Sequence, residues 1–172
     1  MTKIDIDNLW WNVERIDVRE LLLWHFRHDG HTGLLTGCKG CGKTTLSKYL
    51  AKELPQVKIV DEVQKLEFDE RQQMFKDYPQ ILMVSVNFLV DDGYGVIGTL
   101  GPLSNEEVFS YINYKKESHI FTESAIVEIA TASKGGMRLI NLLCRLAIEK
   151  YGSGIDAKMI ENITRRRLKL RY

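Results

Sequence analysis

The chain has 172 residues, 44% of them hydrophobic and 27% charged, with 24 Lys and Arg against 23 Asp and Glu and a formal net charge of +1. That balance describes one globular domain with room for a small appendage, and excludes a disordered chain or a disulfide scaffold. The uncharged run 78–90 falls well short of the ~20 apolar residues a bilayer demands, no apolar leader follows Met1, and three cysteines are an odd set, so a reducing, cytoplasmic setting without a membrane span is expected.

In chain order, residues 18–27 carry apolar side chains at helical spacing, with Gly30 to stop the helix. Residues 33–36 are a short apolar run before a Gly-rich turn, which reads as a buried strand. A helix follows over 43–54, with Leu46, Leu50, Ala51 and Leu54 on one face and Pro55 to end it. A second strand is predicted at 57–61, a charged helix at 67–76 and a third strand at 81–86. The stretch 91–101 holds four glycines and one further strand, 96–100. The character then changes at Pro102. Ser104 and Glu107 form a capping box, in which each side chain satisfies an end amide of the same helix. Helices are predicted at 105–116, 123–133, 137–151 and 156–167. The fold class is therefore α/β: a core of about 1–101 followed by a small all-α lid of about 102–172.

The segment Gly37-Cys38-Lys39-Gly40-Cys41-Gly42-Lys43-Thr44 satisfies the phosphate-loop pattern at each fixed position, between an apolar strand and an amphipathic helix. Its glycines let backbone amides curl around phosphates, and the helix N-terminus adds partial positive charge. Gly37 to Thr45 are the expected nucleotide contacts. Lys43 would reach the β- and γ-phosphates of ATP, and the Thr44 hydroxyl would ligate Mg²⁺. Cys38 and Cys41 make a C-x-x-C, but no second pair is present to complete a zinc site. They are expected to fill free positions of the motif, with a reactive Cys41 thiolate as the lesser reading. His25, His28 and His31 are read as surface residues near a helix C-terminus rather than metal ligands.

The strand 57–61 ends in Asp61-Glu62, a Walker B-like pair. Asp61 is expected to hold the metal and Glu62 to polarise the attacking water. Asn87, just past the third strand, is a candidate to position that water, with Ser85 as the alternative. Arg138 opens the helix after Gly135-Gly136, where a cation opposes the helix dipole and needs a partner, either a γ-phosphate or an acidic side chain. Adenine would lie near Trp10, Trp11, Val13 and Ile16, unless these are simply core. Five of the last eight residues are basic (Arg165, Arg166, Arg167, Lys169 and Arg171), while the rest of the chain has 19 basic against 23 acidic side chains. Such a tail suits nucleic acid or, more plainly, a solvated helix end.

Taken in order, Gly37–Thr44, Asp61-Glu62-Val63-Gln64, Asn87, Leu103–Glu107 and Gly135–Asn141 resemble the motifs of AAA+ P-loop ATPases, especially the group associated with transposition and general secretion. The resemblance implies a three-layer core, a first sensor at Asn87 and a second at Arg138. Only Pro55 and Gln56 separate the phosphate-loop helix from the next strand, where the family places a strand and a helix. It therefore implies a reduced parallel sheet in the order 96–100, 32–36, 81–86, 57–61. No arginine lies in 93–102, where an arginine finger is usual. A Mg²⁺-dependent ATPase acting on DNA or a DNA-bound assembly is expected, compatible with an oligomer or with a protein partner that supplies the arginine. The alternatives are a nucleotide-gated binding switch and, less favoured because 102–137 has no arginine, a small-molecule kinase.

Overall fold

The computed structural model describes residues 13–86, 92–115 and 119–168, with the side chains of 13, 14 and 166–168 outside that description. The chain divides at Gly101/Pro102 into a unit that holds the sheet, Trp11–Gly101, and a helical unit, Pro102–Tyr172.

In the sheet unit, α1 (Val13–Arg27) leads into β1 (Thr32–Gly37), α2 (Lys43–Glu53), β2 (Lys58–Val60), α3 (Phe68–Asp77), β3 (Ile81–Val84) and β4 (Val96–Leu100). The four strands are parallel, in the order β2-β3-β1-β4, as the reduced sheet required. Thr32 pairs with Ile81 through to Leu35 with Val84, and Gly33 pairs with Val96 through to Gly37 with Leu100. The central strands explain their own sequences. β3 is buried along its length, so it reads as Ile-Leu-Met-Val with no polar interruption. The edge strand β2 begins with exposed Lys58, a charge that an edge tolerates.

Side-chain alternation divides the apolar residues between two layers. Leu35, Leu82, Val84 and Leu100 face Leu22, Leu23 and Phe26 of α1 and Leu46 and Leu50 of α2. Leu34, Ile81 and Met83 face the opposite side, under Met74 and Phe75 of α3, with Val63 and Tyr94. Two differences from the sequence reading stand out. α1 starts at Val13 rather than 18, because the polar run before Val18 has no apolar face to announce a helix. A single 3-10 turn, Val63–Lys65, follows the acidic pair and buries Val63 in the second layer.

The helical unit comprises α4 (Asn105–Tyr114), α5 (Glu123–Ser133), α6 (Met137–Tyr151) and α7 (Ala157–Leu168). Ile112, Ile129, Ile140, Ala147 and Ile160 are fully buried at its centre. The capping box at α4 forms as read: Glu107 N–H donates to Ser104 Oγ at 3.2 Å, and Ser104 N–H to Glu107 Oε2 at 2.8 Å. Thr122 caps α5 in a similar way through the Ala125 amide, at 3.3 Å. No helix among the described residues is long and apolar enough to cross a membrane.

Candidate functional site

Parallel strands gather the ends of β1, β2 and β3 on one edge of the sheet, and ligands of such sheets bind beyond those carboxyl ends. The phosphate loop leaves β1 there. Gly37, Gly40 and Gly42 all take positive φ (146°, 85° and 102°), so the loop curls in a way that a side chain at these positions would resist. Gly42 then caps α2 in the left-handed conformation, with the Thr45 and Leu46 amides bonded to its carbonyl at 3.0 Å. Lys43 is buried and folds back over the loop: its Nζ donates to the Gly37 and Cys38 carbonyls, each at 2.8 Å.

Across the strand ends, Thr44 Oγ1 donates to Asp61 Oδ2 at 3.1 Å. The Glu62 amide donates to the other oxygen, Oδ1, at 2.8 Å. One hydroxyl and one carboxylate thus meet beside the loop, exposed to solvent. That oxygen set fits Mg²⁺, which binds through one or two protein oxygens with phosphates and water completing its shell. Glu62 adopts φ 58°, uncommon for a residue other than glycine, and its carboxylate is ion-paired with Lys65. Gln64 Oε1 accepts from the Val86 amide at 3.4 Å, tying the acidic segment to the end of β3. Ser85 is buried, just past β3, and its amide donates to the Leu35 carbonyl at 3.0 Å.

Asn87, Trp10 and Trp11 lie outside the described residues, and Ile16 is half-buried on α1. Arg138 is exposed in the first turn of α6, and among the described residues it makes no hydrogen bond or ion pair. It borders a groove of about 590 Å³ within the helical unit, lined also by Lys115, Asn141, Leu142 and Arg145. Arg165 pairs with Glu161 at 3.1 Å; residues 169–172 of the tail are outside the description.

Two readings of the sequence need correction or completion. The Cys41 thiolate is not supported: the side chain is buried, and burial pushes the thiol up against the opposing pull of the Lys43 ammonium. The three histidines do not converge. Each bonds a backbone carbonyl (His25 to Thr32, His28 to Trp24, His31 to Pro79), and no cluster of metal-ligating side chains occurs among the described residues.

Sequence reasoning also missed two contacts that hold the site. Arg15 of α1 is buried and donates to the Cys41 carbonyl at 2.7 Å and to the Gly101 carbonyl at 2.9 Å, bracing the phosphate loop from behind. Arg71 of α3 clasps Asp92 in a two-point pair at 2.6 and 3.1 Å, and the Tyr94 hydroxyl donates to the same carboxylate at 2.7 Å. Burial disfavours the Asp92 carboxylate, but the hydrogen bonds from Arg71 and Tyr94 outweigh it and hold the group below its ordinary value. Nothing local marks either contact: Arg15 falls in a polar run, and Arg71 sits in a helix that reads as solvated.

Loop, acidic strand end and parallel sheet together define a reduced α/β P-loop NTPase core. No protein-family model and no curated protein matches the chain. Solved structures do. The Holliday junction branch migration motor RuvB of Thermotoga maritima superposes with a TM-score of 0.59 at 16% identity, over 87% of this chain and 66% of RuvB. Two single-residue variants of that RuvB give 0.63 at 20% identity, over 88% and 68%, and 0.65 at 15% identity, over 92% and 71%. The chain thus spans about two thirds of the length of these RuvB chains. The likeness shows the fold alone, the one this chain shares with RuvB, and does not reach the transposition and secretion group.

Proposed function

We propose that this chain binds Mg²⁺·ATP at the phosphate loop and hydrolyses it in work on DNA or a DNA-bound protein assembly. The observation that carries the reading is the meeting of Thr44 and Asp61 at 3.1 Å beside a loop whose lysine is bonded only to loop carbonyls and lies near the Cys41 sulfur. Lys43 exchanges those carbonyls for phosphate oxygens, and the loop amides from Gly37 to Thr45 supply the remaining donors. Thr44 and Asp61 hold the magnesium ion, which when bound neutralises charge on the phosphates. Glu62 orients and deprotonates the attacking water, and Asn87 is assigned to position it. Arg138 responds to the terminal phosphate; its guanidinium, without a partner among the described residues, supports that role. The basic tail and the RuvB likeness support DNA as partner, and the narrower kinship with transposition-associated ATPases rests on the motif order alone.

One observation favours a slower cycle. The Glu62 carboxylate is paired with Lys65, and must leave it before accepting a proton from water. With no arginine in 93–102, the second reading is a nucleotide-gated switch that closes on a protein partner and hydrolyses only to reset. ATP turnover measured over a range of protein concentrations, with and without DNA, tests both. The motor reading expects turnover to rise with concentration or DNA, as when a neighbouring subunit supplies the missing arginine. Lys43→Ala should lose nucleotide binding, and Glu62→Gln should keep ATP while turnover falls about 10²–10⁴-fold. Tight ATP binding with no turnover under any condition would leave the switch.

A further inference from the structure

The two cysteines of the phosphate loop have no part in holding a nucleotide that other small residues could not fill, yet their placement is particular. The Cys41 amide donates to the Cys38 carbonyl at 3.4 Å, closing a four-residue turn with a cysteine at each end. Gly40, the third residue of that turn, has φ 85°, the value a type II turn requires there. Turns of this kind keep their end Cα atoms within about 7 Å, and a disulfide spans about 4.4–6.8 Å. Cys38 is exposed and Cys41 is buried. The two thiols also sense each other: after burial and the opposing Lys43 charge, Cys38 is the next influence on the Cys41 thiol, and it raises it. Cys41 Sγ lies 3.8 Å from Lys43 Nζ, and a Cβ built on Gly37 would meet that sulfur at 2.9 Å.

We propose that Cys38 and Cys41 are a redox-modification site, oxidised by hydrogen peroxide to a disulfide that holds the phosphate loop closed and lowers its affinity for the nucleotide. The inference rests on the loop being the nucleotide site. The exposed Cys38 thiolate attacks the peroxide O–O bond, giving a sulfenic acid and hydroxide. The Cys41 sulfur then attacks the sulfenic sulfur; an S–S bond forms, the S–O bond breaks, and the hydroxyl leaves as water with the Cys41 proton. Two thiols are oxidised by two electrons and the peroxide is reduced to two waters. Lys43, 3.8 Å from Cys41 Sγ, partly offsets the burial that disfavours negative charge on that sulfur as its proton leaves.

The consequence follows from which groups the crosslink fixes. Lys43 is bonded to the carbonyls of Gly37 and Cys38, the start of the turn, and must leave both to reach phosphate. A disulfide ties the Cys38 peptide to residue 41, whose own carbonyl is already anchored by Arg15. The turn then keeps its carbonyls toward the ammonium, and the amides cannot open around an anion. By linkage, bound nucleotide opposes disulfide formation to the same extent that the disulfide opposes binding.

The test uses the full chain, reduced and then treated with hydrogen peroxide, with a fluorescent ATP analogue to read affinity and mass spectrometry to read linkage. Trypsin cleaves after Lys39, so a Cys38–Cys41 bond appears as two peptides joined. Expected are the joined peptides, an affinity loss of about tenfold or more, recovery with dithiothreitol, and slower linkage when MgATP is present. In Cys38→Ser and in Cys41→Ser the ratio of oxidised to reduced affinity should be one, whatever each variant's own affinity. Cys144→Ser should respond as the parent does. Joined peptides with an unchanged affinity, or oxidation that stops at sulfenic acid, would overturn the inference and leave the nucleotide site standing. A reduced parent that binds no ATP would overturn both.

Discussion

The sheet unit and the helical unit satisfy their polar groups over different ranges of the chain. In the helical unit the bonds that cap α4 and α5 are local, Ser104 with Glu107 and Thr122 with Ala125, each three residues apart, although the Thr122 hydroxyl also donates to the Ile155 carbonyl 33 residues on. In the sheet unit they reach much further. Thr44 meets Asp61 across 17 residues, Arg71 meets Asp92 across 21, and Arg15 meets the Cys41 and Gly101 carbonyls across 26 and 86. A helical bundle closes its end groups within a turn, whereas a parallel sheet with crossover helices brings distant segments to one edge. The candidate site lies in the sheet unit, where the carboxyl edge of the sheet assembles groups from several elements.

The sharpest way to break this contrast is to remove one long-range contact. Asp92→Asn leaves the Arg71 guanidinium, whose side chain is 12% exposed, without its counter-charge. A loss of about 3–5 kcal/mol is expected in chemical denaturation. Arg71→Met combined with Asp92→Asn should lose less than Asp92→Asn alone, since no buried charge is then stranded. The pH dependence has a definite sign. The Asp92 carboxyl is depressed when folded, so its contribution is complete above the ordinary value of 3.8 and disappears as the pH falls through the lower folded value. The gap between parent and Asp92→Asn should therefore narrow only in acid. Tyr94 acts in the other direction. Burial, then the bond to Asp92, raises its phenol, so that contribution is complete below pH 10.0 and is lost as the pH rises from there towards the higher folded value.

The helical unit has long-range contacts of its own: the Tyr111 hydroxyl donates to Asn141 Oδ1 at 2.9 Å, the Thr122 hydroxyl to the Ile155 carbonyl at 3.0 Å, and the Leu103 amide to Gly135. Gly135 takes φ 70°, and its carbonyl accepts from the Leu103 amide at 3.0 Å. A Cβ there would stand 2.2 Å from the Leu103 carbonyl oxygen. Gly135→Ala should cost about 1–3 kcal/mol from the backbone conformation alone, with the clash adding to it. Hydrogen exchange should place the loss at the start of α4 and α6. A substitution that cost nothing would mean this contact yields.

The same contrast decides what could be read in advance. The phosphate loop, the Asp61–Glu62 strand end and the α4 capping box were legible because each is a short pattern with its own physical signature, whereas the strand order followed only from the family resemblance. β4, α5 and α6 fall at the residues their periodicity indicated. Arg15 and the Arg71–Asp92–Tyr94 clasp were not legible, because an arginine bound 21 or 86 residues away leaves no mark in its neighbours. The first turns of α1 were missed for a related reason: they rest on Arg15 reaching the loop rather than on an apolar stripe. Cys41 was open to a thiolate reading until its burial between the loop and the sheet was known.

The smallest expected effect tests the local end of the contrast. Ser104→Ala removes the acceptor for the Glu107 amide and should cost about 1 kcal/mol, while Ser104→Asp, which keeps an acceptor, should stay within about 0.5 kcal/mol of the parent. Both should leave the denaturant m-value unchanged, since neither alters the surface exposed on unfolding. Glu107 is only 3% exposed and has contacts beyond the box, so Glu107→Ala should cost more than Ser104→Ala. If Ser104→Ala itself exceeded about 2 kcal/mol, the serine would be acting through the buried glutamate on a wider network. The capping box would then be one end of a long-range contact, as Thr122 at the start of α5 already is through the Ile155 carbonyl.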